Sequence, residues 1–229
     1  MGYIRGGLIG AAAVTVAVMS APLAGPVLSS PDGDIVFSVL REGSPIGTHR
    51  VSFAQNGDTL EVRVDLSLEV KLGFIPLFHY RHASVEVWRG ASLLSLYATT
   101  DDDGEKFVVY GEATAGGFVV DGSMGTFIAP ADVYPTSYWS EHMIAHSTLL
   151  DTQRGRLISV SVAPVQDLSA VTDFREERRY RLSGDVAGEV GYSGTGAWRS
   201  LRFVAMGSEI SYVRLPNDPV RTARRLNDD

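Results

Sequence analysis

The sequence predicts an all-β fold: a single antiparallel meander of about eleven strands, curled into a half-barrel or open barrel, with one short helix. Three observations carry this expectation. From Leu60 to Leu72 every even position is apolar and every odd position polar, a period of two that fits a strand with one wet and one dry face. Turn signals such as Gly43-Ser44-Pro45, Asn56-Gly57 and Gly116-Gly117 recur at hairpin spacing. Helical character is confined to Tyr138–His146, where Thr136 or Ser137 can serve as the cap.

The elements follow in order. Asp34–Arg41 places Ile35, Phe37 and Val39 on one face, and Ile46–Ala54 follows the first turn. Asn56-Gly57 favours a type I′ hairpin, because both central residues of that turn need positive φ. It leads into Leu60–Leu72, which at roughly 3.3 Å per residue spans about 40 Å. Leu77–Arg89 breaks the pattern: Phe78 and Tyr80 share one face, whereas Ala83, Val85 and Val87 share the other. A bulge near His82 would reconcile the two phases. Leu93–Thr100, Lys106–Ala113 and Phe118–Asp121 continue the meander, with Asp101 to Gly104 as an acidic turn. Ser123–Pro135 reads as a crossover loop. Beyond the helix, Arg156–Ala163, Phe174–Leu182, Val186–Ser193, Ala197–Ala205 and Glu209–Leu215 complete the strands.

Composition narrows the class. The 229 residues are 45% hydrophobic and 21% charged, as in a globular domain, with a net charge of −7 that argues against nucleic acid as a partner. Cysteine is absent, which excludes disulfides, thiolate metal sites and a lipidated N-terminal cysteine. Arg5 followed by the apolar run Leu8–Met19 has the form of an export signal, expected over residues 1–24 with its cleavage point open between Ser20 and Ala24. The expected product is a periplasmic protein with no membrane span after signal removal, a β domain over residues 31–216 and a flexible tail over 217–229.

Chemistry is sparse. The densest polar cluster is His79-Tyr80-Arg81-His82 on the irregular strand. If the Ala83/Val85/Val87 phase faces inward, His79 and Arg81 enter the interior; if the Phe78/Tyr80 phase does, His82 and Glu86 enter it. Trp88, Tyr138 and Trp139 are aromatic candidates for a cavity mouth or for core. His142 and His146 have the four-residue spacing of metal ligands on a helix, but Glu141 precedes both, which is not the order of a zinc-protease motif. No metal or other cofactor is expected. There is no Gly-x-Ser-x-Gly elbow, phosphate loop or dinucleotide fingerprint.

Several segments carry a resemblance: Pro45-Ile46-Gly47-Thr48-His49, Tyr80-Arg81-His82, Glu86-Val87-Trp88, Pro135-Thr136-Ser137-Tyr138-Trp139, Tyr180 to Gly184 and Glu209 to Val213. In this order they resemble an uncharacterised family of exported, periplasmic alphaproteobacterial proteins, a domain of unknown function. Gly191-Tyr192-Ser193 departs from the Trp-Tyr-Asp segment often found there. The resemblance implies a β-rich envelope protein and supplies no catalytic residues. In outline the meander is also similar to the half-barrels of lipoprotein carriers, an analogy of fold alone. The leading expectation is a non-catalytic protein that binds or carries an apolar or amphiphilic ligand such as a lipid. His79 or His82, with Arg81, would engage the head and Trp139 would cover the mouth. The alternative is an envelope interaction module with a filled barrel and a protein partner. An enzyme would need His79, Arg81 or His82 gathered with a carboxylate.

Overall fold

The computed structural model describes residues 33–72, 74–165 and 177–216. The expected export signal, the C-terminal tail and the start of the strand expected at Phe174 lie outside the described residues. The chain forms strands β1 (Ile35–Arg41), β2 (Ser44–Asn56), β3 (Thr59–Leu72), β4 (Ile75–Arg89), β5 (Ser92–Asp102), β6 (Glu105–Thr114), β7 (Gly117–Gly122) and β8 (Gly125–Ala129). These are followed by β9 (Tyr134–Pro135), a 3₁₀ turn (Glu141–Ala145), β10 (Thr148–Asp151), β11 (Arg156–Pro164), β12 (Arg178–Gly184), β13 (Gly188–Tyr192), β14 (Trp198–Ala205) and β15 (Ser208–Arg214).

All fifteen strands belong to one sheet, in the order β8-β7-β6-β5-β4-β3-β2-β1-β15-β14-β13-β12-β11-β10-β9. The class is the expected one. Strands consecutive in sequence are adjacent in the sheet except β8 and β9, and at the middle β1 pairs antiparallel with β15, with Val39 opposite Tyr212. The sheet curls without closing: β8 and β9 are its two edges. Its flanks meet through turns rather than strands, because the Ser123 amide donates to the Arg154 carbonyl at 2.8 Å and Gly122 lies against Gly155.

The alternation read in β3 is real. Leu60, Val62 and Val64 are buried, Leu66, Leu68 and Val70 are half-buried, and Arg63, Asp65, Ser67 and Glu69 are exposed. Burial falling off along one strand shows that the core is dense at one end and open at the other. The dense end holds Ile35, Phe37, Val62, Trp88, Trp139 and Trp198, all essentially inaccessible. Each large apolar side chain buried there contributes about 1.5–3 kcal/mol.

Four expectations need correction. There is no bulge near His82, which pairs in register with Leu66 and Thr100; the shifts lie at Val70/Lys71 and Val87/Trp88. The phase of β4 is continuous, with Tyr80, His82, Ser84, Glu86 and Trp88 all buried. It looked broken because polar residues occupy inward positions while Ala83, Val85 and Val87 face out. The helix expected over Tyr138–His146 is a five-residue 3₁₀ turn capped by Ser140, whose hydroxyl accepts from the His142 amide. Finally, Ser123–Pro135 contains the edge strand β8 and the short β9, and β10 follows the turn. These brief strands, too short to show a period, raise the count above the expected number.

Candidate functional site

The open end of the curled sheet encloses a cavity of about 680 Å³, between the β2–β4 flank and the β12–β15 flank. Its volume lies within the range of about 300–1,000 Å³ usual for small-molecule sites. Most of the wall is apolar: Leu66, Leu68, Val70 and Phe78 on one side, Leu201 and Phe203 on the other. A short segment, Thr136 to Tyr138 with Thr152 and Gln153, closes the inner side.

Polar groups enter this apolar space from β2 and β4. His49, Tyr80 and Ser84 line the cavity and are 5%, 8% and 3% exposed. Both His49 ring nitrogens, the Tyr80 hydroxyl and the Ser84 hydroxyl have no hydrogen-bond partner among the described residues. Unpaired polar atoms inside a protein are uncommon and costly, about 1–3 kcal/mol each. Burial drives the His49 pKa down to about 3, with nearby His82 adding to the shift, so its imidazole is neutral at neutral pH.

His82 also lines the cavity but is fully engaged. Its Nδ1 lies 2.9 Å from the Thr100 hydroxyl and its Nε2 3.3 Å from that of Thr152. The Thr100 hydroxyl donates to the Gln153 carbonyl, so it accepts from Nδ1–H; Nε2 is then left to accept from Thr152. Burial lowers the His82 pKa to about 4, outweighing the attraction of Asp151, in keeping with this neutral tautomer. His82 therefore ties β4 to β5 and to the segment after β10.

Behind Ser84, Glu86 is wholly buried. Its Oε2 accepts from the indole N–H of Trp88 at 2.9 Å and of Trp139 at 3.1 Å. Burial raises its pKa despite these donors. Oε1 makes no hydrogen bond, and the Ser137 hydroxyl stands outside bonding geometry although near enough to favour the charged form. Trp88 and Trp139 are therefore the floor beneath the cavity, and Trp139 does not cover its mouth. Tyr138 does line the cavity, stacked on Trp198 with ring centroids 5.7 Å apart. Its φ of +61° is strained for a tyrosine, and this turn sends Tyr138 to the cavity while Trp139 goes to Glu86.

The remaining candidates lie elsewhere. His79 stands on the outer face between Asp101 at 3.1 Å and Asp103 at 3.2 Å, and Arg81 is exposed there. Neither reaches the cavity, because the Phe78/Tyr80 phase points inward. In a 3₁₀ turn residues three apart eclipse, so the four-residue spacing of His142 and His146 does not align them. His142 bonds to Ser140, and His146 packs on Tyr134 with centroids 5.1 Å apart. Among the described residues no group of three or more His, Asp or Glu side chains is placed to hold a metal.

Residues 37–215 match the family model of DUF6134, a domain of unknown function. The chain belongs to this family. The DUF6134 match runs from within β1 to the end of β15 and includes the cavity. A solved structure shares the architecture: a β-barrel-like protein of the DUF1849 domain of unknown function from Brucella abortus. It aligns with a TM-score of 0.54 at 12% identity, over 80% of this chain and 95% of that one. At that identity the likeness concerns fold alone. No curated protein matches the chain.

Sequence reasoning overlooked His49 and Ser84. A signal for each was present. His49 has the parity of Val51 and Phe53, and Ser84 the parity of Tyr80 and Trp88, so both were due on a buried face.

Proposed function

We propose that this protein is a non-catalytic binding or carrier protein for an apolar or amphiphilic small molecule held in the cavity. One observation carries the proposal: a half-open apolar cavity of about 680 Å³ whose wall includes buried, unpartnered polar atoms on His49, Tyr80 and Ser84. Apolar walls with a few convergent polar groups are the usual make-up of a ligand site. Placing the activity in the cell envelope rests on the export pattern of Arg5 and Leu8–Met19.

The test is native mass spectrometry together with solvent extraction of the purified protein. The expected result is a co-purifying amphiphile, released on denaturation, whose retention is reduced by Leu68→Trp, which fills the cavity. A protein that carries nothing and fails to bind apolar fluorescent probes would overturn the proposal. A second function, protein interaction, is favoured by the edge strand β8, where Ile128 is exposed, with exposed Met124 in the turn before it. Recovery of a stoichiometric protein partner with an empty cavity would support that instead.

A further inference from the structure

We infer that the cavity accepts an amphiphile with an uncharged, hydrogen-bonding head, seated head-inward, its apolar tail leaving past an exposed lip. The inference rests on the ligand-binding proposal above and adds to it the class of head and the direction of entry.

The direction comes from strand register. Along β4, Leu77 and Phe78 stand at the open end, and Tyr80, His82 and Ser84 follow at successively deeper positions. Across the sheet, Phe78 pairs with Val70, Tyr80 with Leu68, His82 with Leu66, and Ser84 with Val64. Leu66 pairs in turn with His49, which puts His49 level with His82. The opposite flank is graded in the same way: Ala205 and Met206 lie outermost, Phe203 lies opposite Ile210, and Leu201 lies opposite Tyr212 deeper in. From Leu77 to Ser84 the wall runs about 20 Å at strand rise. Its middle and inner parts collect the unpartnered groups of Tyr80, His49 and Ser84, and its outer part is mostly hydrocarbon, with Arg41 and Asp185 at the rim. At the mouth Leu77, Val204 and Met206 line the cavity and are also exposed. An amphiphile seated the other way round would bury its tail against these unpaired polar atoms and leave its head among the lip residues.

The head class comes from what the inner end lacks. Among the described residues, the formally charged side chains lining the cavity are Arg41, at the end of β1, and Asp185, in the β12–β13 turn. Both stand toward the mouth. A charged head carried inward would lose its hydration, and the acid behind that wall, Asp151, whose charge is felt by His82, Tyr80 and Tyr138, is already paired with Arg156 at 3.2 Å. The two inner imidazoles are held neutral, and the buried Glu86 carboxyl has its Oε2 taken up by two indoles. Hydroxyl and amide groups, by contrast, can both give and accept hydrogen bonds there, and an ester carbonyl can accept them.

The experiment uses the full chain and a displacement assay with the fluorescent probe N-phenyl-1-naphthylamine at pH 7.5. Three competitors share a fourteen-carbon chain of about the same length and differ in head: monomyristoylglycerol, myristate and myristyltrimethylammonium. The neutral competitor is expected to bind at least about tenfold tighter than either ion, about 1.4 kcal/mol. His49→Leu combined with Ser84→Ala is expected to erase that preference, with far-ultraviolet circular dichroism reporting that the variant is folded; a preference left intact in the folded variant would overturn the head class. Equal or tighter binding of either ion to the unaltered protein would overturn the head class and leave the ligand-binding proposal standing. Failure of the probe and all three competitors to bind would overturn both. Orientation is read separately from the three tryptophans, all at the inner end. Bromine near the head of the neutral ligand should quench their fluorescence strongly and bromine at the tail tip weakly; the reverse order would overturn the head-inward seating.

Discussion

Glu86 shows at the scale of one residue how the interior sets charge. Its carboxyl is desolvated on all sides, and two indole donors do not offset that loss, so its pKa is raised from 4.5. The folded state thus keeps a proton that the unfolded chain releases. Its contribution to stability is full below pH 4.5 and is lost as pH rises from there through the raised folded value. His49 and His82 run the other way. With folded pKa values of about 3 and about 4 against 6.5 unfolded, they contribute fully above pH 6.5, and that contribution is lost as pH falls toward those values. Urea unfolding across pH 4–9 should show both limbs. Glu86→Gln should remove the alkaline limb, making the variant more stable than the parent at pH 8, while Glu86→Leu should destabilise at every pH. The second change leaves the Trp88 and Trp139 N–H groups unpaired, at about 1–3 kcal/mol each. Little of this was legible in the sequence. Glu86 stood on one of the two phases of β4, and the local pattern left open which of them faced inward.

At the scale of elements, the regular strands were legible and the joints were not. The alternation in β3 depends only on local pattern, and the turn at Asn56-Gly57 follows from backbone sterics, with Gly57 at a φ of +61°. The joint between the flanks depends on two turns far apart in sequence. Gly122 and Gly155 touch there, with Gly155 at a φ of +63°. A Cβ on Gly155 would stand 2.8 Å from the Gly122 Cα and 3.0 Å from the Val109 side chain. Gly155→Ala should therefore cost about 1–3 kcal/mol from backbone strain, with the added contact pushing the flanks apart. Amide hydrogen exchange checks this locally: the Ser123 amide, which donates to Arg154, should lose protection before the β2–β3 amides do. The five-residue 3₁₀ turn belongs here too. Its sequence could have formed a longer helix, but Ser140 bridges to Ala197 and Met143 is drawn into the core, which leaves too little free chain.

The whole molecule is organised by the pairing of its first strand with its last. Arg41 lies opposite Ile210 and Phe37 opposite Arg214, so the centre of the sheet forms only when both ends of the described chain have met. Contacts so distant in sequence slow folding, and refolding is expected on the millisecond-to-second scale or slower. A chain ending after Met206 lacks β15 and exposes both β1 and β14. It should lose cooperative unfolding and the near-ultraviolet circular dichroism of the Trp198–Tyr212 cluster, whose rings lie 5.7 Å apart. By itself the sequence determined the all-β class, the meander and most hairpin turns, because these follow from period, turn sterics and neighbours along the chain. It put Tyr80, His82 and Tyr138 among its candidates, and all three line the cavity. Tertiary structure alone decided that His79 and Arg81 lie outside. It also decided that His49 and Ser84 are left unpartnered around a cavity. Those outcomes turn on which faces meet across the fold and which polar atoms find partners there, and strand periodicity carries no record of either.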